Sequence, residues 1–100
     1  MERKQTLSIG EVLRAALEST EADRMLRERQ AIAVWPAVVG PGIASLASRP
    51  TVSAGIMTVR IASAALRHDL MMNRSAIIRD INARLSQPAI TDIRFAAPGG

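Results

Sequence analysis

The stretch "RPTVSAGIMTVRIAS", residues 49–63, is where the hydrophobic pattern changes from a helical period to a strand period. Val59 and Ile61 alternate there with polar or small residues, which is the two-residue period of a half-buried strand. "SAG" before Ile56 predicts a tight turn, and residues 51–53 are the expected partner strand. The stretch therefore predicts a β-hairpin in a chain whose remaining pattern is largely helical.

On the C-terminal side of the hairpin, the helical period returns at Ala64 and predicts helices up to Gln87-Pro88. The apolar positions that carry this pattern are Leu66, Leu70, Ile77, Ile78, Ile81 and Leu85. A break is predicted at residues 73–75, with Ser75 as a plausible N-cap of the last helix. "AITDIRF", residues 89–95, predicts a final strand with Ile93 and Phe95 on one side.

On the N-terminal side, Ser8 and Glu11 fit a capping box, and apolar spacing predicts a helix over about 9–18. "STEAD", residues 19–23, predicts a polar break, and a second helix is expected over about 22–34. A short helix is predicted near 42–47, after Pro41.

The only Trp lies in "VWPAVVGPGIASL", residues 34–46, next to Pro36. Proline is expected to end the helix and start a new turn, so Trp35 is predicted at a bend between helical pieces. We interpret Trp35 as a core anchor whose indole N–H bonds to a free carbonyl at the bend. Gly40 and Gly42 would relieve backbone strain there. The alternative is that Trp35 forms a stacking platform or contacts a partner.

The predicted element order is α-α-β-β-α-α-β, which indicates a two-layer α+β fold with a three-stranded sheet and helices on one face. The open face of the sheet is expected to show polar side chains to solvent, as antiparallel sheets can. These are Thr58, Arg60, Asp92 and Arg94. One hundred residues fit a single domain, residues 1–100.

Composition restricts the protein class. The chain has 48% hydrophobic residues and no cysteine, which excludes disulfides and thiolate metal sites. "MERKQTLSIG" lacks the apolar segment of a signal peptide. Residues 30–48 carry no charge, but two Pro and two Gly make them a poor membrane span. A cytoplasmic protein without a membrane partner is expected.

The net charge of +4 comes entirely from residues 31–100, which hold seven Arg against three Asp. Arginine forks fit phosphate well, so an anionic partner is one interpretation and a solvated Arg-rich surface is the other. The candidate nucleic-acid contacts are Arg60, Arg67, Arg74, Arg79, Arg84 and Arg94.

No pattern for catalysis is evident. His68 and Asp69 are adjacent in sequence and so do not share a helix face. "GPG", residues 40–42, lacks the Lys of a phosphate-binding loop. We expect no catalytic residue, metal ligand, cofactor or small-molecule substrate, and no enzyme activity.

Four segments together resemble the DciA family of bacterial proteins. They are "SIGEVLRAAL", "VWPAVVGPGIASLASRP", "TVSAGIMTVRIASAALRHDL", and "IIRDINARL" with "ITDIRF". The match covers about residues 7–96. At residues 64–66, where the family commonly has an aromatic residue, this chain has Ala-Ala-Leu. The resemblance implies a KH-like domain that helps a DnaB-type replicative helicase onto DNA, with weak and sequence-independent DNA binding.

A KH domain holds single strands with a GxxG loop between two helices. The equivalent segment here, residues 71–75 or "MMNRS", contains no glycine. We call it the joint, and we predict that its Met72, Asn73 and Arg74 contact the helicase. Two alternatives are a stand-alone KH-like RNA-binding protein and an interaction module without nucleic acid.

Overall fold

The computed structural model describes residues 8–99, apart from the side chains of residues 17–19. It contains two helices, a hairpin, two further helices and a last strand. In chain order these are α1 (Ile9–Val39), α2 (Pro41–Ser45), β1 (Thr51–Ser53), β2 (Ile56–Arg60), α3 (Ala64–Met72), α4 (Arg74–Ala83) and β3 (Asp92–Ala96). The α+β class and the order α-α-β-β-α-α-β are confirmed. The KH-like character of the fold stays a prediction.

The sheet has the order β1-β2-β3. β1 and β2 pair antiparallel as the predicted hairpin, and the turn residues Ala54 and Gly55 both have positive φ, 52° and 80°. Two positive φ values give a turn whose twist matches that of the strands. β3 pairs with β2 in parallel, from Ile56 opposite Asp92 to Arg60 opposite Ala96. The sheet is therefore mixed, because α3 and α4 form a crossover that returns the chain to the same end of the sheet.

The core lies between the inner face of this sheet and the helices. The inner face supplies Met57, Val59 and Ile93, and the opposite side chains Arg60 and Arg94 are exposed. The helices supply Ala31, Trp35, Leu70, Ile77 and Ile81. The helices that contribute to this core therefore all pack on the same face of the sheet, as predicted.

The outer sheet face is less open than expected. Thr58 and Asp92 are half-buried rather than exposed. Thr58 is on the central strand, between Thr51 of β1 and Arg94 of β3, so the neighbouring side chains cover it.

Helix α1 runs without the predicted interruption at residues 19–23. The capping box at Ser8 is present, with both of its hydrogen bonds, to and from Glu11. Thr20 does not cap a new helix, since its hydroxyl donates to the Ala16 carbonyl one turn back. Polar residues in "STEAD" are compatible with an exposed helix, so they did not mark a break.

Pro36 lies inside α1, which corrects the predicted bend. The helix continues to Val39, and the Gly40 N–H still donates to the Pro36 carbonyl at 2.8 Å. Proline has no N–H for the Ile32 carbonyl, so one helical hydrogen bond is missing, and the remaining bonds hold the last turn. Trp35 therefore sits within a helix and not between two helical pieces.

Gly40 ends α1 with φ 92°, a conformation that favours glycine at this position. Gly42 lies inside α2 and has no positive φ, so its expected role was wrong.

The first part of α1 extends away from the core. Each residue from Ser8 to Leu26 whose side chain is described is exposed, and the longest dimension of the protein is 64 Å. A 31-residue helix is about 46 Å long. We call residues 8–26 the arm. Its apolar side chains include Ile9, Val12, Leu13, Met25 and Leu26.

Only Asn73 separates α3 from α4, and it is the N-cap residue of α4. The prediction of Ser75 as N-cap was wrong. The Asn73 amide donates to the Asp69 carbonyl at 3.0 Å, and its own carbonyl accepts from the Ile77 N–H at 3.1 Å. These bonds let the chain change direction within one residue.

Candidate nucleic-acid and partner surfaces

Two of the six candidate arginines lie on the outer face of the sheet. Arg94 is exposed, and its side chain makes no ion pair or hydrogen bond within residues 8–99. Arg60 is exposed too, and its guanidinium donates to the Ala97 carbonyl at 3.0 Å. Both side chains point away from the core, since Val59 and Ile93 beside them are buried. The sheet thus places two cations on one open surface, as predicted.

Arg67 lies elsewhere and has a structural role. It is half-buried, and its guanidinium donates to the Ile61 carbonyl at 2.6 Å and the Ala62 carbonyl at 3.1 Å. These bonds fasten the start of α3 to the end of β2. Arg67 is therefore the least available of the six for phosphate.

The other three arginines belong to α4 and its end. Arg74 lies 3.5 Å from the Asp92 carboxylate, so it borders the outer sheet face. Arg79 is exposed on α4, about 140° around the helix from Arg74. Arg84 is the C-cap residue and lies beside α1, in a groove with Gln30 and Val34. Arg60 and Arg94 thus share the outer sheet face and Arg74 lies at its border, whereas the other three arginines lie elsewhere.

The joint presents apolar side chains on a well-packed support. Met72 is 74% exposed and Met71 is 45% exposed. Leu70 and Ile77, on either side of the joint, are both in the core. The Asn73 backbone is already bonded within the turn, and no residue of the joint has positive φ. This geometry does not offer the close backbone approach of a GxxG loop.

Trp35 is buried in the core, and its role as an anchor stays a prediction. It is 1% exposed, and its ring centroid lies 6.4 Å from that of Phe95, at a tilt of 39°. The expected hydrogen bond of the indole was wrong: within the described residues, Nε1 is buried and has no partner. Pro36 does free a carbonyl, but it is that of Ile32 and it does not pair with Nε1.

The sequence did not point to two further features. Asn82 on α4 accepts from the Ala89 and Ile90 N–H groups at 2.9 and 3.2 Å and donates to the Ile90 carbonyl at 2.8 Å. It therefore ties residues 89–90 to α4. A groove of about 370 Å³ runs along Trp35 and Pro36. The Asn in "DINARL" and the intrahelical Pro were the only signals for them.

Titratable groups add little chemistry. Two hydrogen bonds from Ser8, first from its backbone and second from its side chain, lower the pKa of the exposed Glu11 carboxyl. Among the described residues, no group of three or more His, Asp or Glu side chains is placed to hold a metal ion. In the same part of the chain, no helix has the length and hydropathy to cross a membrane.

The fold and its surfaces are those of a small α+β protein with an open, Arg-bearing sheet face. A family model described as Dna(CI) antecedent, DciA, matches residues 8–95. The chain therefore belongs to the DciA family, which is related to loading of the DnaB helicase and is not a class of catalytic enzymes. No curated protein matches the chain.

Proposed function

We propose that this protein is an accessory factor that binds a DnaB-type replicative helicase and DNA and assists helicase loading when DNA replication starts. The family match over residues 8–95 is the observation that carries the proposal. Such a role goes with a cytoplasmic location and needs no cofactor in this chain.

The proposed helicase contact is the joint, through Met72, Asn73 and Arg74. Met72 is exposed and flexible, and methionine adapts its shape to a protein surface. Arg74 is half-exposed next to Asp92, so it can exchange that partner for a carboxylate of the helicase. Since α3 and α4 are already fixed by the core, little order has to be gained on binding.

Titrating the host's replicative helicase with the unmodified protein and with Met72→Asp and Arg74→Glu tests this contact. Both changes lie on exposed positions, so the domain should stay folded. We expect each to weaken helicase binding by about tenfold, because a carboxylate replaces an apolar contact or a cation. Normal helicase binding by both variants would exclude the joint.

The proposed DNA surface is the outer sheet face with Arg60 and Arg94, bordered by Arg74. Arg79 and Arg84 lie away from this face and would attract phosphates only over a longer distance. Arg67 would contribute least to DNA binding, because its guanidinium already donates a hydrogen bond to a backbone carbonyl. Contacts of this kind reach phosphates and not base edges, so binding should be weak and independent of sequence.

Salt dependence tests the DNA surface. If about three phosphates are contacted, the affinity for single-stranded DNA should fall as roughly the second power of the salt concentration. An affinity that does not change between low and moderate salt would contradict phosphate binding.

RNA binding of the KH type is the alternative function. The helix-helix-hairpin-helix-helix-strand order of the chain is compatible with a KH-like fold, but the joint lacks glycine and its backbone is bonded within the turn. Loss of RNA binding by Arg74→Glu, with helicase binding retained, would favour the alternative.

A further inference from the structure

The groove along Trp35 lies between the last part of α1 and the chain that leads into β1. Its volume of about 370 Å³ is within the range of ligand-binding pockets, roughly 300–1,000 Å³. One wall is formed by α1 and the other by α2 and the segment after it. The lining residues are mostly apolar or small, and they include Ile32, Ala33, Trp35, Pro36, Ala44 and Ala47.

The α1 wall carries an unusual backbone acceptor. The Ile32 carbonyl has no helical N–H partner because Pro36 stands where the donor would be. Ile32 and Pro36 both line the groove, so the turn of α1 that holds this carbonyl forms part of its wall. Proline inside a helix is costly, and here it leaves a hydrogen-bond acceptor that a bound N–H group can use.

The opposite wall carries a cation. Arg49 lines the groove, is exposed and forms no ion pair with any residue in the described range. Its segment is held in place, since the Ser48 N–H donates to the Arg60 carbonyl at 2.9 Å and the Ser48 hydroxyl accepts from the Arg60 N–H at 3.2 Å. Pro50 next to it is buried. The cation therefore stands on a rigid support.

We propose that this groove binds a short protein segment in which an aliphatic side chain is next to a carboxylate. The aliphatic side chain would lie over Trp35 between Ala33 and Ala44, a backbone N–H of the segment would donate to the Ile32 carbonyl, and the carboxylate would pair with Arg49. Nucleic acid fits less well, because the free carbonyl repels phosphate and the groove lining offers only one cation. The inference does not depend on which protein supplies the segment.

A ¹H–¹⁵N NMR titration with a capped heptapeptide, Gly-Glu-Leu-Asp-Glu-Leu-Gly, tests the site directly. The chain has one Trp, so its indole N–H gives one signal from a residue that lines the groove. We expect saturable shifts of this signal and of backbone amides in residues 32–37 and 44–49, with a Kd of about 0.1 mM. The same peptide with Lys in place of its acidic residues should not bind, and neither should one with Ser in place of Leu.

Two pairs of variants separate the proposed contacts from general effects. Arg49→Glu should weaken peptide binding at least about tenfold, whereas Arg29→Glu, on an exposed part of α1 outside the groove, should leave it unchanged. Pro36→Ala gives the Ile32 carbonyl an intrahelical partner, so it should raise Tm and weaken binding about fivefold. Pro41→Ala, at the first position of α2, should not weaken binding.

Absence of saturable shifts at the Trp35 indole would overturn the proposal. Signal shifts confined to Arg60 and Arg94 would also overturn it, since they would mean that the acidic peptide binds any basic surface and not the groove. Equal binding by the unmodified protein and Arg49→Glu would also contradict it. Because the peptide is not part of a helicase, failure here leaves the proposed helicase contact at the joint untouched.

Discussion

The arm and the joint both expose apolar side chains on helices, but they differ in what lies beneath them. In the arm, Ile9 is 78% and Leu13 is 58% exposed, and neither belongs to the core or packs against it. In the joint, Met72 is 74% exposed, yet Leu70 and Ile77 on either side of it are buried. The joint is therefore fixed in shape, whereas most of the arm is stabilised by interactions within its own helix.

This difference bears on binding. A helix of about 18 residues without tertiary packing is only marginally stable in water, even with a capping box and the Arg24–Glu21 ion pair at 2.9 Å. A partner of the arm would have to supply that order, whereas a partner of the joint meets a surface already formed. An exposed apolar patch thus indicates a contact site more strongly when the core supports it.

The largest expected difference is between Trp35→Ala and Leu13→Ala, two truncations in the same helix. Trp35 is 1% exposed and in contact with the core, so its removal should lower the free energy of unfolding by about 3–5 kcal/mol. Leu13→Ala should change it by less than about 0.5 kcal/mol, because an exposed side chain leaves no cavity. Thermal or urea unfolding followed by circular dichroism measures both.

An unchanged midpoint for Trp35→Ala would refute its role as a core anchor. A large loss for Leu13→Ala would show that the arm packs against something, for example a second copy of the chain, and unfolding midpoints that depend on protein concentration would then confirm association.

Asn82→Ala should have the next largest effect. The change removes three hydrogen bonds from a half-buried side chain and leaves the Ala89 and Ile90 N–H groups without their partner. We expect a loss of about 2–3 kcal/mol, measured in the same unfolding experiment. Asn82→Asp retains the hydrogen-bond acceptor, so it should lose less stability than Asn82→Ala. Equal stability of Asn82→Ala and the unmodified protein would contradict the role of Asn82 in tying residues 89–90 to α4.

The spacing of apolar residues in the sequence identified the core positions of α1, but it could not distinguish them from the exposed apolar positions of the arm. Leu13 and Ala31 are 18 residues apart, which is five turns, so they lie on the same side of α1. Ala31 is fully buried and Leu13 is exposed because the sheet reaches only the second half of the helix. The length of a helix relative to its core depends on tertiary structure, and local spacing carries no information about it.

Local chemistry predicted the hairpin and the N-cap well, since "SAG" and "SIGE" act within a few residues. It failed where distant contacts decide. Pro36 stays in α1 because packing of Trp35 outweighs one missing hydrogen bond, and β3 is parallel because of the crossover through α3 and α4. For the candidate site, the sequence predicted that Arg60 and Arg94 lie on the outer sheet face, but not that the Arg67 guanidinium is hydrogen-bonded to backbone carbonyls.

A smaller effect is expected from the arginines of the DNA surface. Arg94→Gln removes an exposed cation without a partner, so it should weaken DNA binding a few-fold and reduce the slope of the salt dependence by about one. Arg67→Gln should leave the slope unchanged and lower stability, since it loses bonds to Ile61 and Ala62. Fluorescence anisotropy with labelled single-stranded DNA at several salt concentrations measures both; equal slopes for Arg94→Gln and the unmodified protein would contradict the assignment.

The smallest effect concerns the start of the arm. Bonds from Ser8 lower the pKa of Glu11 in the folded helix below its ordinary value of 4.5. The ionised carboxylate therefore supports the helix above pH 4.5, and this support is lost as the pH falls through the lowered folded pKa. Amide exchange in residues 9–13 should accelerate, relative to residues 31–35, as the pH falls through this range, and Glu11→Gln should remove the difference. If the protection of these amides from exchange does not depend on pH, the capping box is not what protects them.

Binding of the replicative helicase by Met72→Asp and Leu13→Asp tests the central claim most directly, because one change is made in the joint and the other in the arm. Both place a carboxylate at an exposed apolar position of a helix, and both variants should unfold at nearly the temperature of the unmodified protein. Isothermal titration with the helicase should show a Kd at least about tenfold higher for Met72→Asp and unchanged for Leu13→Asp. Normal binding by Met72→Asp together with loss of binding by Leu13→Asp would contradict the account and place the helicase contact on the arm.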